Sequence, residues 1–183
     1  MRTMTMRITR RQALVAGGMG AALATVPMVH QVAAQRAIQS GGGIAGGGSV
    51  EVEGGTAHFS VFGSRFVIEG EEAPLIVGSF IWTGADDVSL VSSEVTSYGP
   101  VDGDDASRQM TGTLTMDGEG SFPFTLTLTD GGGPGGGDDT VTLTVLDSGD
   151  NAAPSPAAGD EVYTADGPLA SGDLQLLTFD FEE

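Results

Sequence analysis

Phe122-Pro123-Phe124-Thr125-Leu126-Thr127-Leu128-Thr129 and Thr140-Val141-Thr142-Leu143-Thr144-Val145 decide how this chain folds. In both stretches large apolar residues alternate with threonine, which is the two-residue period of a pleated strand with one dry and one wet face. Threonine and valine are branched at Cβ and suit an extended backbone better than a helix. The intervening Asp130 to Asp139 is rich in glycine and joins the two stretches as a hairpin. Pro123 lacks an amide proton, so the first strand is expected to be entered at an edge or a bulge.

The same period runs outward in both directions. Further strands are expected near residues 50–53, 56–62, 75–83, 87–97, 109–117, 160–164 and 172–180, about nine in all. Turn signals separate them, among them Gly54-Gly55, Gly84-Ala85-Asp86-Asp87, Gly103-Asp104-Asp105 and Asp117-Gly118-Glu119-Gly120. No sustained helical period interrupts the series, so the chain is expected to be all-β: an antiparallel sandwich or a small barrel of about eight or nine strands. Near the end, Leu174 and Leu176 share one parity while Leu177, Phe179 and Phe181 share the other, which implies a bulge or burial on both faces. Residues 35–48 include Gly41-Gly42-Gly43-Ile44-Ala45-Gly46-Gly47-Gly48 and are expected to form a flexible linker or a loose first edge before a single β domain over 49–183.

Residues 1–34 read differently. A basic stretch ending in Arg10-Arg11, an apolar small-residue stretch to Val29, and Val32-Ala33-Ala34 follow one another in the order of a helical secretory signal peptide. The Arg10-Arg11 pair shortly before Leu14 and Val15 resembles the twin-arginine export signal, which implies passage through the twin-arginine translocase and cleavage after Ala34. Gly17, Gly18, Gly20, Pro27 and His30 disfavour a permanent membrane anchor. The protein is therefore expected outside the cytoplasm, in the envelope or beyond it, with no stable membrane insertion once cut.

All 25 acids and only three arginines (Arg36, Arg65, Arg108) fall after residue 34, a balance of −22; the chain has no lysine and no cysteine. Such a field repels phosphate backbones, so a nucleic-acid partner is not expected. It suits high salt, where screening relieves self-repulsion, and it equally suits a genome that writes arginine for lysine. Disulfides, thiolate metal sites, a cysteine nucleophile and a lysine Schiff base are excluded.

No catalytic residues are assigned. His58 is the one histidine after the leader, and its parity with Ser60 puts it on the outer face of its strand. No Gly-x-Ser-x-Gly elbow accompanies it. Trp82, Tyr98 and Tyr163 are the aromatic platforms other than phenylalanine, and Trp82 ends the apolar run from Leu75, as a core residue does. Calcium is the one cofactor the composition suggests, through Asp102-Gly103-Asp104-Asp105 or through Asp130 with Asp138-Asp139, because that ion takes hard oxygen donors on turns. Solvated turn acids are the simpler reading, so no cofactor is assigned.

Gly112-Thr113-Leu114-Thr115-Met116, Asp117-Gly118-Glu119-Gly120, the two threonine strands, Val162-Tyr163 and Gly172-Asp173-Leu174-Gln175-Leu176 succeed one another in an order that resembles bacterial secreted β domains of the post-COAP type. The glycine run, Val50-Glu51, Gly54-Gly55 and Ala57-His58-Phe59 are similar to the front of that group. The resemblance implies an extracytoplasmic β domain without catalytic residues to carry over. The acidic turns and the Pro- and Ala-rich segment Asn151 to Gly159 depart from it.

Two functions follow as expectations. The first is a non-enzymatic envelope or extracellular module that binds a protein or a cation or serves a structural role. The second is a small barrel enzyme or ligand carrier using carboxylates in a central pocket. A filled interior without converging acids favours the first, and an open apolar cavity ringed by acids favours the second.

Overall fold

A computed structural model describes residues 4–8, 38–133, 138–148 and 160–181. Every element in it is a strand: β1 Met4–Ile8, β2 Ile38–Val52, β3 Gly55–Ile68, β4 Leu75–Thr83, β5 Ser89–Val101, β6 Asp104–Met116, β7 Glu119–Thr129, β8 Thr140–Leu146 and β9 Glu161–Phe181. Strands β2 to β8 pair in chain order, and β9 pairs with both β8 and β2, so eight antiparallel strands close into a barrel. Closure removes the exposed sheet edges a sandwich would leave. Strand β1 lies outside this ring, parallel to Leu177–Phe181 of β9. These five residues are extended where the sequence predicts a helical leader. The rest of that leader, with Arg10, Arg11 and the cut after Ala34, lies outside the described residues, as does the segment from Asn151 to Gly159.

The threonine strands pair as their pattern demands, with Leu126 opposite Leu143 and Thr127 opposite Thr142. Pro123 sits just before the β7–β8 ladder, which begins at Phe124 opposite Val145. Apolar parity points inward. An aromatic chain crosses the interior, with Phe59 stacked on Trp82 at 5.6 Å and Phe80 on Phe124 at 5.9 Å. Ile44, Leu90, Leu114, Leu126, Leu143 and Leu174 fill the space around it. An eight-stranded barrel is just wide enough to be packed solid by such side chains.

The linker expected over 35–48 is corrected here. From Ile38 onward it is the first part of β2, hydrogen-bonded to β3 on one side and β9 on the other. The glycines serve close approach, not looseness. A Cβ on Gly48 would lie 2.0 Å from the backbone oxygen of Ser171, and one on Gly46, at φ +156°, 2.1 Å from that of Asp173. Only glycine lets three backbones press together at that spacing. The strands expected separately at 160–164 and 172–180 are likewise one 21-residue strand, β9. Its first half pairs with β8 and its second with β2. The mixed parity near its end reflects burial on both faces: Leu174 and Leu176 point inward, while Phe179 packs outside against Phe66 at 5.4 Å.

Candidate functional site

The two ends of the barrel differ. At the end carrying the β2–β3, β4–β5, β6–β7 and β8–β9 connections, Trp82 is fully buried and donates from Nε1 to the hydroxyl of Tyr163 at 2.7 Å. The two rings meet edge to face at 6.3 Å. Burial pushes the Tyr163 phenol above its ordinary range, and this end is plugged.

At the other end the interior parity changes character. Along β3 the inward series Ala57, Phe59, Val61, Gly63 continues to Arg65, and along β6 the inward series Leu114, Gly112, Met110 continues to Arg108. Both arginines line a cavity of about 240 Å³, together with Gly42, Val67, Tyr98 and Pro100. Nη1 of Arg108 donates to the carbonyl oxygens of Asp105 at 2.9 Å and Ser107 at 2.7 Å, which fixes the guanidinium plane. Among the described residues neither Arg65 nor Arg108 forms an ion pair.

Tyr98 projects from β5 into the same region. Its ring leaves no room for a side chain at Gly63, where a Cβ would come within 2.8 Å of it. The residue is 6% exposed, and its enclosed hydroxyl lies beside the Arg108 guanidinium without a hydrogen bond of good geometry. Burial drives its phenol far above the ordinary range, partly offset by the adjacent Arg108, so the hydroxyl keeps its proton.

The acids singled out as calcium ligands lie around the same end but are otherwise engaged. Asp139, 1% exposed, accepts from the amides of Gly131 at 2.8 Å and Leu174 at 2.7 Å. Asp130, also buried, closes a turn on the amide of Gly132 at 2.8 Å and accepts from that of Leu176 at 2.9 Å. The upper half of β9 runs beyond β8, and these carboxylates take the place of the missing strand at Leu174 and Leu176. Asp138 is exposed. In the β5–β6 turn, Asp104 accepts from the Ser107 hydroxyl at 2.5 Å and from the Ala106 amide at 2.9 Å. These bonds, the serine's first, hold its carboxyl below the ordinary range. Among the described residues no three His, Asp or Glu side chains converge as a metal site would require.

No family model matches this chain, and no curated protein or solved structure does either. The site therefore stands on its own geometry. His58 is exposed on the outer face of β3, as its parity predicts, and Trp82 is core. Sequence reasoning did not bring together Arg65, Tyr98 and Arg108. The signal was available: the last two arginines of an acidic chain both fall on the apolar parity of their strands.

Proposed function

We propose that the protein is an exported, non-enzymatic β-barrel module, acting by binding or as a structural element in the envelope or outside the cell after passage through the twin-arginine translocase. One observation carries the non-enzymatic reading: the barrel interior is occupied by packed apolar side chains, and the two carboxylates buried among the described residues, Asp130 and Asp139, are each held by two backbone amides, one on each oxygen. A general acid or base needs free lone pairs facing a space that a substrate can enter. The carrier alternative, with acids around a central pocket, lacks that arrangement.

The surface supports a life in water. On β6, β7 and β8, Thr111, Thr113, Thr125, Thr127, Thr142 and Thr144 face outward and Leu114, Leu126, Leu128 and Leu143 inward, the reverse of the apolar-out pattern of membrane barrels, although Leu75, Val77 and Ile81 of β4 and Val91 of β5 are exposed. Export rests on Arg10-Arg11 and the cut site after Ala34, and the likeness to post-COAP domains points the same way.

Cell fractionation tests the reading. Wild-type protein is expected in the envelope or medium and the Arg10→Lys, Arg11→Lys double variant in the cytoplasm. The exported protein is expected to leave a panel of chromogenic glycosides and esters unhydrolysed. Equal export of both forms sinks the localisation, and turnover abolished by Asp139→Asn in a still-folded protein sinks the non-enzymatic assignment.

A further inference from the structure

The geometry points to a binding site for a small organic carboxylate at the open end of the barrel, gripped by the guanidinium groups of Arg65 and Arg108 and met by the hydroxyl of Tyr98. The inference rests on the binding-module reading and supplies its ligand class.

Three observations converge on it. First, in a chain with 25 acids, the two arginines of the barrel strands line one cavity; Arg108 stands near enough to Asp104 to help lower that carboxyl, yet among the described residues neither arginine is locked in a salt bridge. Second, Arg108 is pre-set: two backbone carbonyls hold Nη1 and the Tyr98 hydroxyl lies beside the guanidinium, so the planar fork keeps one orientation. Such a fork matches the two oxygens of a carboxylate, and pre-organisation lowers the entropy lost on binding. Third, Tyr98 at the cavity wall carries an enclosed hydroxyl beside Arg108 without a well-formed hydrogen bond, and a buried donor so placed costs free energy that an acceptor brought to the same guanidinium recovers.

The rest of the lining narrows the ligand. Val67, Pro100 and the Tyr98 ring are apolar, and the volume of about 240 Å³ admits a molecule of roughly benzoate size. A polyanion such as nucleic acid is disfavoured, since its neighbouring charges would lie over Asp102, Asp104 and Asp105 of the adjoining turn. One flat anionic end on a short apolar body satisfies charge, fork and wall together.

The test is a titration of the full chain with sodium benzoate, acetate and inorganic phosphate at fixed ionic strength, followed by amide shifts and by calorimetry. Saturable benzoate binding in the millimolar range or tighter is expected, with shifts at Gly42 and Gly99, and with acetate and phosphate weaker. Arg65→Gln alters an exposed side chain and is expected to weaken benzoate about tenfold while leaving the melting temperature in place. Tyr98→Phe separates ligand recognition from packing: it removes a buried hydroxyl that lacks a well-formed hydrogen bond, so melting is expected to hold or rise while benzoate binding falls severalfold. Absence of saturable binding by all three anions overturns the site, as does benzoate affinity unchanged in both variants; phosphate binding tighter than benzoate overturns the carboxylate assignment. Each of these leaves the non-enzymatic module standing, whereas chemical conversion of benzoate would keep the site and refute the module.

Discussion

Asp139→Ala tests the seam that closes the barrel. The side chain accepts two buried amides, Gly131 at 2.8 Å and Leu174 at 2.7 Å, and Leu174 itself is 1% exposed. A hydrogen bond to a charged acceptor contributes about 1.5–3 kcal/mol, and a buried donor left without one costs about 1–3 kcal/mol. Losing both acceptors is therefore expected to cost about 3–5 kcal/mol, a large share of the ~5–15 kcal/mol that stabilises a typical domain. Asp139→Asn keeps one carbonyl oxygen and turns an NH2 toward the second amide, so about half the loss remains. The backbone bond from the Leu169 amide to the Asp139 carbonyl, 2.9 Å, is untouched by either change. Urea unfolding of the full chain measures the difference, and melting is expected to fall on the order of 10 °C for the alanine variant. Hydrogen exchange should show the Leu174 and Gly131 amides losing protection before the β7–β8 ladder does. A loss below about 1 kcal/mol, with Leu174 still protected, would refute the idea that this carboxylate substitutes for a strand.

Tyr163→Phe removes the acceptor of the Trp82 indole and is expected to cost about 1–3 kcal/mol, with the emission of the protein's single tryptophan moving as its environment changes; unchanged emission and stability would show that the indole is satisfied otherwise. Gly48→Ala places a methyl 2.0 Å from the Ser171 backbone oxygen and is expected to cost at least the ~1–3 kcal/mol of overpacking, read by urea midpoint, and a neutral result would mean that β2 and β9 separate easily. Ser107→Ala deletes the largest cause of the lowered Asp104 carboxyl, so its titration, followed by NMR, is expected to move upward toward the ordinary range. Because the folded form holds that proton less tightly than the unfolded chain, the stabilisation it brings is present above the unfolded value and lost as pH falls through the folded one; the variant should show less of that acid-side loss. A chelator at fixed ionic strength is expected to leave the melting temperature unchanged, since each carboxylate oxygen of Asp130 and Asp139 already accepts a backbone amide; a fall would reveal a bound cation.

The strands were legible where packing follows a local rule. Alternation over 122–129 and 140–145 is a one-strand property, and it names the inward residues directly, because a one-residue slip would turn every leucine to water. The role of residues 38–48 was not legible from the same rule. A glycine run carries no parity, and loose tethers and tightly pressed strands share its composition. What separates them is the backbone of Ser171 and Asp173, more than 120 residues away in the chain, and a local reading holds no term for it. The continuity of the strands expected at 160–164 and 172–180 was not legible for a related reason: Gly167 and Pro168, in the gap between them, fall where β9 passes from β8 to β2 and its register slips opposite Ser49 and Val50. The sandwich-or-barrel choice depends on that single crossover.

The same crossover bears on where a ligand enters. Strand β9 spends its lower half on β8 and its upper half on β2, so between the end of β8 and the start of its pairing with β1 at Leu177 the outer amides of Leu174 and Leu176 would face no partner strand. Asp130 and Asp139 reach across and take them, which seals the wall beside the open end without adding a strand. With the wall sealed by carboxylates and the far end plugged by Trp82 and Tyr163, the cavity beside Arg65 and Arg108 pairs cationic lining with the enclosed Tyr98 hydroxyl. Two of the chain's acids, Asp130 and Asp139, thus serve closure, while the two arginines of the barrel strands stand at the mouth. Charge placement, more than charge total, is what the proposed carboxylate site rests on.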